Sequence, residues 1–379
     1  MKRRLCGVFL CLVCMLLCSG CWNYRGLDTI DIVTGVAVDR DAETGEYLLT
    51  FELVDTQGDG DKGEVQAKYV ESRGLTLFDS IRNAKMRLIN RLYGGNMQCL
   101  IISKDIAETE GLLSVLEEFL RDGEPRETMS IAISQQETAK EILHGKGIDS
   151  HIISYELHDM IREDNEVTAS TKNTPLYMAY NAIKGEGSSL ALPAVRCIQN
   201  EGETVVEVNG IALFREDRLI GFESAADTMQ YLFVVDDVDG GVISFAVTNP
   251  SDSVSLEIKS CSSKTQVAYE NDQLIIQIQI DVRMNVMEIK SHFNISNSKE
   301  RRALERRVEE VIQERVTKFV QRVQQEYKTD VLGLGGMMYR ENPSLWRSLR
   351  GDWDTVFQNA GIQVAVQADV VSSGVLKNY

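Results

Sequence analysis

Apolar residues first gather in one block at the start of the chain. Leu5 to Leu17 is an almost unbroken apolar run, preceded by Lys2, Arg3 and Arg4 and followed by Ser19, Gly20 and Cys21. Beyond it the apolar positions fall into two periods. Alternation predicts strands over Ile32 to Val38 and Tyr47 to Val54, joined as a hairpin by the turn-rich stretch Asp39 to Glu46. A charged link, Gly58 to Gly63, leads to a third strand over Glu64 to Glu71. Leu77, Ile81, Ala84, Leu88 and Leu92 form one stripe and predict a helix over Leu75 to Leu92, stopped by Gly94 and Gly95. Strands at Cys99 to Ser103 and Met129 to Ile133 then alternate with helices at Leu112 to Leu120 and Thr138 to Leu143. Weaker helical patterns follow at Ile152 to Ile161 and Leu176 to Ile183, and Gly185 to Ser189 reads as a boundary.

The second half is richer in strands. Leu190 to Ile198, Val205 to Phe214, Leu219 to Phe222, Val242 to Val247, Val254 to Ile258, Thr265 to Ala268 and Leu274 to Met287 all carry strand patterns, with a helix at Ser224 to Leu232. Lys299 to Tyr327 is the longest predicted helix, with a single stripe of Leu304, Val308, Val311, Phe319, Val323 and Tyr327. Arg315 interrupts that stripe, which argues against a coiled coil and for a helix laid over the C-terminal sheet. Pro343 to Trp353 reads as helix or turn, and Ile362 to Val371 as a last strand returning to the sheet. The expected fold class is α+β: several mixed α/β domains, each a sheet with packed helices, after a lipoprotein signal peptide. The expected division is a signal peptide at 1–20, an N-terminal α/β region at 21–200 with a subdivision near 145–190, and a C-terminal α/β domain at 201–379 carrying the long helix 299–327.

The opening block has the form of an export signal. A positive start, an apolar run too short to span a bilayer comfortably and two small residues before a cut are its parts. A thiol directly after the cut makes Cys21 the candidate lipidation site, although Cys18 stands where the commonest lipoprotein signal has Leu. Five of the eight cysteines, Cys6, Cys11, Cys14, Cys18 and Cys21, belong to this segment or its end. Cys99, Cys197 and Cys261 are too dispersed for a disulfide framework or a zinc knuckle and read as small buried side chains.

At 379 residues the chain is long for a single core. Its 43% apolar and 26% charged residues are those of a soluble globular protein. The formal net charge is −17, and the leader holds three cations and no anion, so the remainder stands near −20. That balance argues against nucleic acid as a partner and against electrostatic adhesion to anionic lipid.

Chemistry is sparse. His144, His151 and His158 recur every seven residues, but Gly145 and Gly147 interrupt any helix carrying all three, and metal ligands are usually closer in sequence. Gly333-Leu334-Gly335-Gly336 has a faint likeness to a phosphate loop without the Gly-Lys-Ser/Thr that should follow. Asp236-Asp237 and Glu117-Glu118 read as solvated surface, and Arg350-Gly351-Asp352 as a chance tripeptide. No catalytic, metal-binding or cofactor-binding residue is assigned.

Four runs carry a family resemblance. The first is Cys21-Trp22-Asn23-Tyr24-Arg25 followed by a strand with a V-x-G-x-x-x-D pattern ending at Asp39. The second is Leu120-Arg121-Asp122-Gly123-Glu124-Pro125-Arg126, and the third is Val208 to Gly221 with Gly210 and Phe214. The fourth runs from Asp330 through Gly333, Gly335, Arg340, Pro343, Trp346 and Trp353 to Phe357. In this order and spacing they resemble the Ger(x)C spore germination family, the lipoprotein C subunits of nutrient germinant receptors. The resemblance implies several mixed α/β domains and no catalytic residues. It also implies a lipid anchor at Cys21 on the outer surface of the spore inner membrane, and assembly with the receptor's A and B subunits. The competing expectation is a solute-binding lipoprotein that delivers a small ligand to a permease. As physical elements, Gly210 and Gly221 are expected to bracket a tight hairpin, and Trp346, Leu349, Trp353, Val356 and Phe357 to pack over the last strand.

Overall fold

The computed structural model describes residues 26, 29–55, 65–247, 252–271, 273–290 and 295–372. The leader, Cys21, the run Trp22 to Arg25 and the link Gly58 to Gly63 lie outside the described residues. The elements, in chain order, are β1 (Ile30–Arg40), β2 (Tyr47–Asp55), β3 (Gln66–Gly74), α1 (Leu77–Asn83), β4 (Arg91–Tyr93), β5 (Cys99–Ile102), α2 (Lys104–Thr109), α3 (Leu113–Asp122) and β6 (Ser130–Ser134). Then come α4 (Lys140–Leu143), α5 (Ile153–Val167), α6 (Leu176–Lys184), β7 (Ala191–Asn200), β8 (Glu203–Arg215), β9 (Arg218–Glu223) and α7 (Ala225–Val235). The chain ends with β10 (Val242–Ala246), β11 (Ser253–Glu270), β12 (Gln273–Ile289), α8 (Ser298–Arg322), α9 (Leu334–Glu341), α10 (Pro343–Leu349), α11 (Trp353–Gln358) and β13 (Gly361–Ser372).

Two sheets organise these elements. The first has the order β3-β2-β1-β5-β6-β7-β8-β9, with β4 paired to the start of β1. Its centre, β1-β5-β6-β7, is parallel, and an antiparallel meander flanks it on each side. Central parallel strands are covered on both faces and so lose the alternation that marks a half-buried strand. Accordingly every residue of β5 and β6 is buried. Leu100 and Ile102 enter a core shared with α1, α2, α3 and α6, whereas Cys99 and Ile101 enter one shared with α4 and α5.

The second sheet, β10-β11-β12-β13, has one covered face. In β12 the residues Leu274, Ile276, Ile278, Ile280 and Val282 are buried, while Gln277, Gln279, Asp281 and Arg283 face solvent. The covering layer is α8 with α7 and α9 to α11, as the apolar stripe requires: Leu304, Val308, Val311, Val316 and Phe319 share one core with β12. Arg315, which interrupts the stripe, donates to the Ser244 carbonyl of edge strand β10 at 2.8 Å. Glu309 and Glu305 of α8 accept from the backbone N–H groups of Ala368 and Val370 at 3.0 and 3.3 Å, so the helix also satisfies part of the open edge of β13.

Three expectations change. The helix predicted to Leu92 stops at Asn83, tightens into a 3₁₀ turn at Ala84–Arg87 and gives way to β4. Pairing of Arg91 to Tyr93 with Ile30 to Ile32 replaces the helical bonds there. The separate strands Val254 to Ile258 and Thr265 to Ala268 are one 18-residue strand. A register shift between Ile258 and Ser260 moves the buried phase from even to odd positions, which makes the alternation look broken. The long helix ends in a π turn at Val323–Tyr327. Gly210 and Gly221 bracket the tight β8–β9 hairpin, whose turn is Glu216 and Asp217: Gly210 sits within β8 against the Glu223 carbonyl, and Gly221 within β9 against the Tyr327 ring. A division at residue 200 falls in the turn between β7 and β8, and the first sheet continues to Glu223.

Candidate functional site

The two glycine-rich stretches that seemed unrelated in sequence meet in space. Gly187, in the loop between α6 and β7, has φ +67° and packs on the first turn of α9. A Cβ on Gly187 would stand 2.6 Å from the Gly335 carbonyl carbon, a separation no side chain accepts. This close backbone approach joins the two halves of the molecule, and neither glycine run shows it alone.

Asp330 explains why Gly333 to Gly336 is not a phosphate site. Its carboxylate accepts from Leu332 N at 3.0 Å, from Gly335 N at 2.7 Å and from Trp353 Nε1 at 3.0 Å. The anion at the start of α9 is therefore the chain's own. Burial pushes the Asp330 carboxyl upward, against the three donors that favour its charge. The Trp353 ring meets Trp346 edge-on at 5.1 Å, and both are buried. Trp346 Nε1 donates across the joint to Glu186 at 3.1 Å, and Arg350 pairs with the same carboxylate at 3.3 Å. These two donors, Trp346 first, hold Glu186 below the usual carboxylate range. A second bridge runs from Arg215 of β8 to Asp354 of α11, and Thr329 Oγ1 donates to Asp354 at 2.8 Å. Between these contacts lies an open cleft of about 740 Å³. Of its acidic lining, Glu186 and Asp354 are paired across the joint and Asp330 holds Trp353, while Glu216, Asp217 and Asp352 complete the wall. Trp346, Trp353 and Phe357 lie in the same core as the β13 residues Val364, Ala368 and Val370, with Leu349 and Val356 half-buried against it.

A second constellation lies inside the first sheet. Glu52, fully buried on β2, accepts from Thr34 Oγ1 at 2.8 Å and from the Ile153 and Ser154 N–H groups at 2.8 and 3.0 Å. Asp39, which closes the V-x-G-x-x-x-D run on β1, accepts from Ala139 N at 2.6 Å and Lys140 N at 3.0 Å. Both carboxylates thus cap helix N-termini, Glu52 on α5 and Asp39 on α4, where free N–H groups and the helix dipole favour an anion. Burial nonetheless raises both, Asp39 to about 6. Sequence reasoning named Asp39 only as part of a motif and missed Glu52. Its one signal was an acid inside the apolar strand Phe51 to Val54.

The histidines have separate partners. His144 stacks on Tyr69 with ring centroids 4.5 Å apart, and His158 Nδ1 lies 2.9 Å from Ser130 Oγ. Burial lowers both imidazoles. Among the described residues no group of three or more His, Cys, Asp or Glu could hold a metal ion. Cys99, Cys197 and Cys261 are free thiols, the first fully buried and the others half-buried, and burial raises all three, Cys261 to about 11. Asp236 is more than solvated surface: it accepts from Ser263 N at 2.6 Å and ties α7 to β11. Asp237 pairs with Lys172.

Known proteins resemble the chain over nearly its whole length. Residues 23–197 match the family model "Spore germination protein N-terminal domain", and residues 209–374 match "Spore germination B3/ GerAC like, C-terminal". Spore germination protein KC of Bacillus subtilis (strain 168) is 21% identical, over 93% of this chain and 92% of the relative. Spore germination protein B3 of the same organism is 22% identical, over 95% and 96%. Spore germination protein GerQC of Bacillus cereus is 24% identical, over 94% and 95%. The crystal structure of the GerBC protein has a similar fold, with a TM-score of 0.57 at 18% identity over 89% of this chain and 97% of that one. Matched by these models in both halves, the chain belongs to the Ger(x)C family of spore germination proteins.

Proposed function

We propose that this chain is a non-catalytic, lipid-anchored subunit of a nutrient germinant receptor. In this reading it is held through Cys21 on the outer surface of the spore inner membrane and assembled with membrane-embedded A and B subunits. The observation that carries the proposal is the use made of the family-like residues. Asp39 caps a helix, Asp330 and Trp353 brace Trp346, and Trp346 bonds across the joint to Glu186. Residues spent on holding a shape suit a protein that works by presenting surfaces to partners. The topology also favours this over a solute-binding lipoprotein, whose two doubly wound lobes would close around a ligand. Here a mixed nine-stranded sheet stands beside a four-stranded one.

The anchor is tested at the mature N-terminus. Mass spectrometry of the chain taken from spore membranes should find Cys21 as the first residue, carrying a diacylglyceryl group. Cys21→Ala should release the protein from membranes or leave the leader uncleaved. An unmodified Cys21 would refute the anchor.

A further inference from the structure

The acidic balance of the chain conceals one segment of opposite character. Residues 72–93 contain Arg73, Arg82, Lys85, Arg87 and Arg91 against a single acid, Asp79, in a protein of net charge −17. The same segment exposes apolar side chains that a monomer would normally cover: Leu75 at 76%, Phe78 at 50%, Met86 at 80% and Ile89 at 96%. They stand just before α1 (Leu75), on α1 (Phe78), on the 3₁₀ turn (Met86) and on the approach to β4 (Ile89). Arg82 lies over the Phe78 ring at 4.6 Å, so cation and apolar surface are presented together. An apolar pocket of about 360 Å³ opens beside them, floored by Val36, Phe51 and Phe119 and rimmed by Arg82, Lys85 and Arg91. Asp122 and Glu124 share that rim, Glu124 as the partner of Arg91.

Position supplies the second argument. Ile30, at the start of β1, pairs with Arg91. Cys21 precedes it by nine residues, at most about 30 Å of extended chain. A chain tethered at Cys21 therefore holds this segment within reach of the bilayer.

We propose that residues 75–93 form a docking face for an anionic lipid surface, with the basic side chains at the phosphates and Met86 and Ile89 in the headgroup region. Cations beside exposed apolar residues are the composition of an interfacial membrane contact. The proposal rests on the lipid-anchored reading only for which way the molecule faces, and the experiment separates the two.

The full chain is bound to vesicles of phosphatidylcholine, with or without phosphatidylglycerol. Binding to phosphatidylcholine alone reports the anchor. Docking is read from an environment-sensitive fluorophore on Ile89→Cys, quenched by a quencher in the lipid, after subtraction of the labelled parent chain. The control is Ile148→Cys, 70% exposed between α4 and α5, which pack on the opposite face of the first sheet. With phosphatidylglycerol present, the probe at 89 should enter lipid and the probe at 148 should not. Adding R82Q and R87Q, both at exposed positions, should lower the docked-to-undocked ratio about thirtyfold, and high salt should act in the same direction. Equal signals at 89 and 148, or the same signal at 89 in both vesicle types, would overturn the proposal and leave the face to a protein partner.

Discussion

Asp39 shows how much of this protein's behaviour rests on single buried carboxylates. The residue is 5% exposed and its carboxyl is raised to about 6, because burial outweighs the two backbone donors at the start of α4. A folded-state value above the unfolded one means that the native state favours the protonated form. The stability Asp39 contributes is therefore complete below about pH 4 and lost as the pH rises through 6. The melting temperature of the wild type minus that of Asp39→Asn should shrink between pH 4 and pH 7, and a difference that stays flat or grows would contradict this. Of these residues the sequence made Asp39 visible but not its role. Glu52 stayed hidden, because an acid in a strand announces itself only when its partners, here Ile153 and Ser154 of a distant helix, are known.

Among the elements, the local period was readable wherever one face is wet. β12 alternates cleanly, and α8 shows one stripe. Reading failed where a long-range bond replaced a local one. α1 ends early because β4 finds β1, and β11 looked like two strands because a bulge shifts its phase. α11 owes its place to Trp353, which packs on Trp346 and donates to Asp330. Trp353→Ala should destabilise the C-terminal core by about 3–5 kcal/mol. Trp353→Phe keeps most of the packing but strips one donor from a buried carboxylate, and should cost about 1–3 kcal/mol. Denaturant unfolding measures both, and a Trp353→Phe variant as stable as the wild type would deny the Trp353 N–H any part.

For the molecule as a whole, composition hid two features. Net charge averaged away the basic, apolar segment 72–93, since a mean carries no position. The joint was invisible because its halves, Gly187 with Glu186 and Gly335 with Trp346, lie far apart in sequence and look ordinary alone. No helix of the described residues is long and apolar enough to cross a membrane. The central claim, that this protein acts by assembly, is tested most directly by purifying the tagged full chain from detergent-solubilised spore inner membranes and identifying what accompanies it by mass spectrometry. Two germinant-receptor subunits, one of them with many membrane spans, should co-purify in constant ratio. Recovery of the chain alone, or with a solute permease in place of those subunits, would contradict the account.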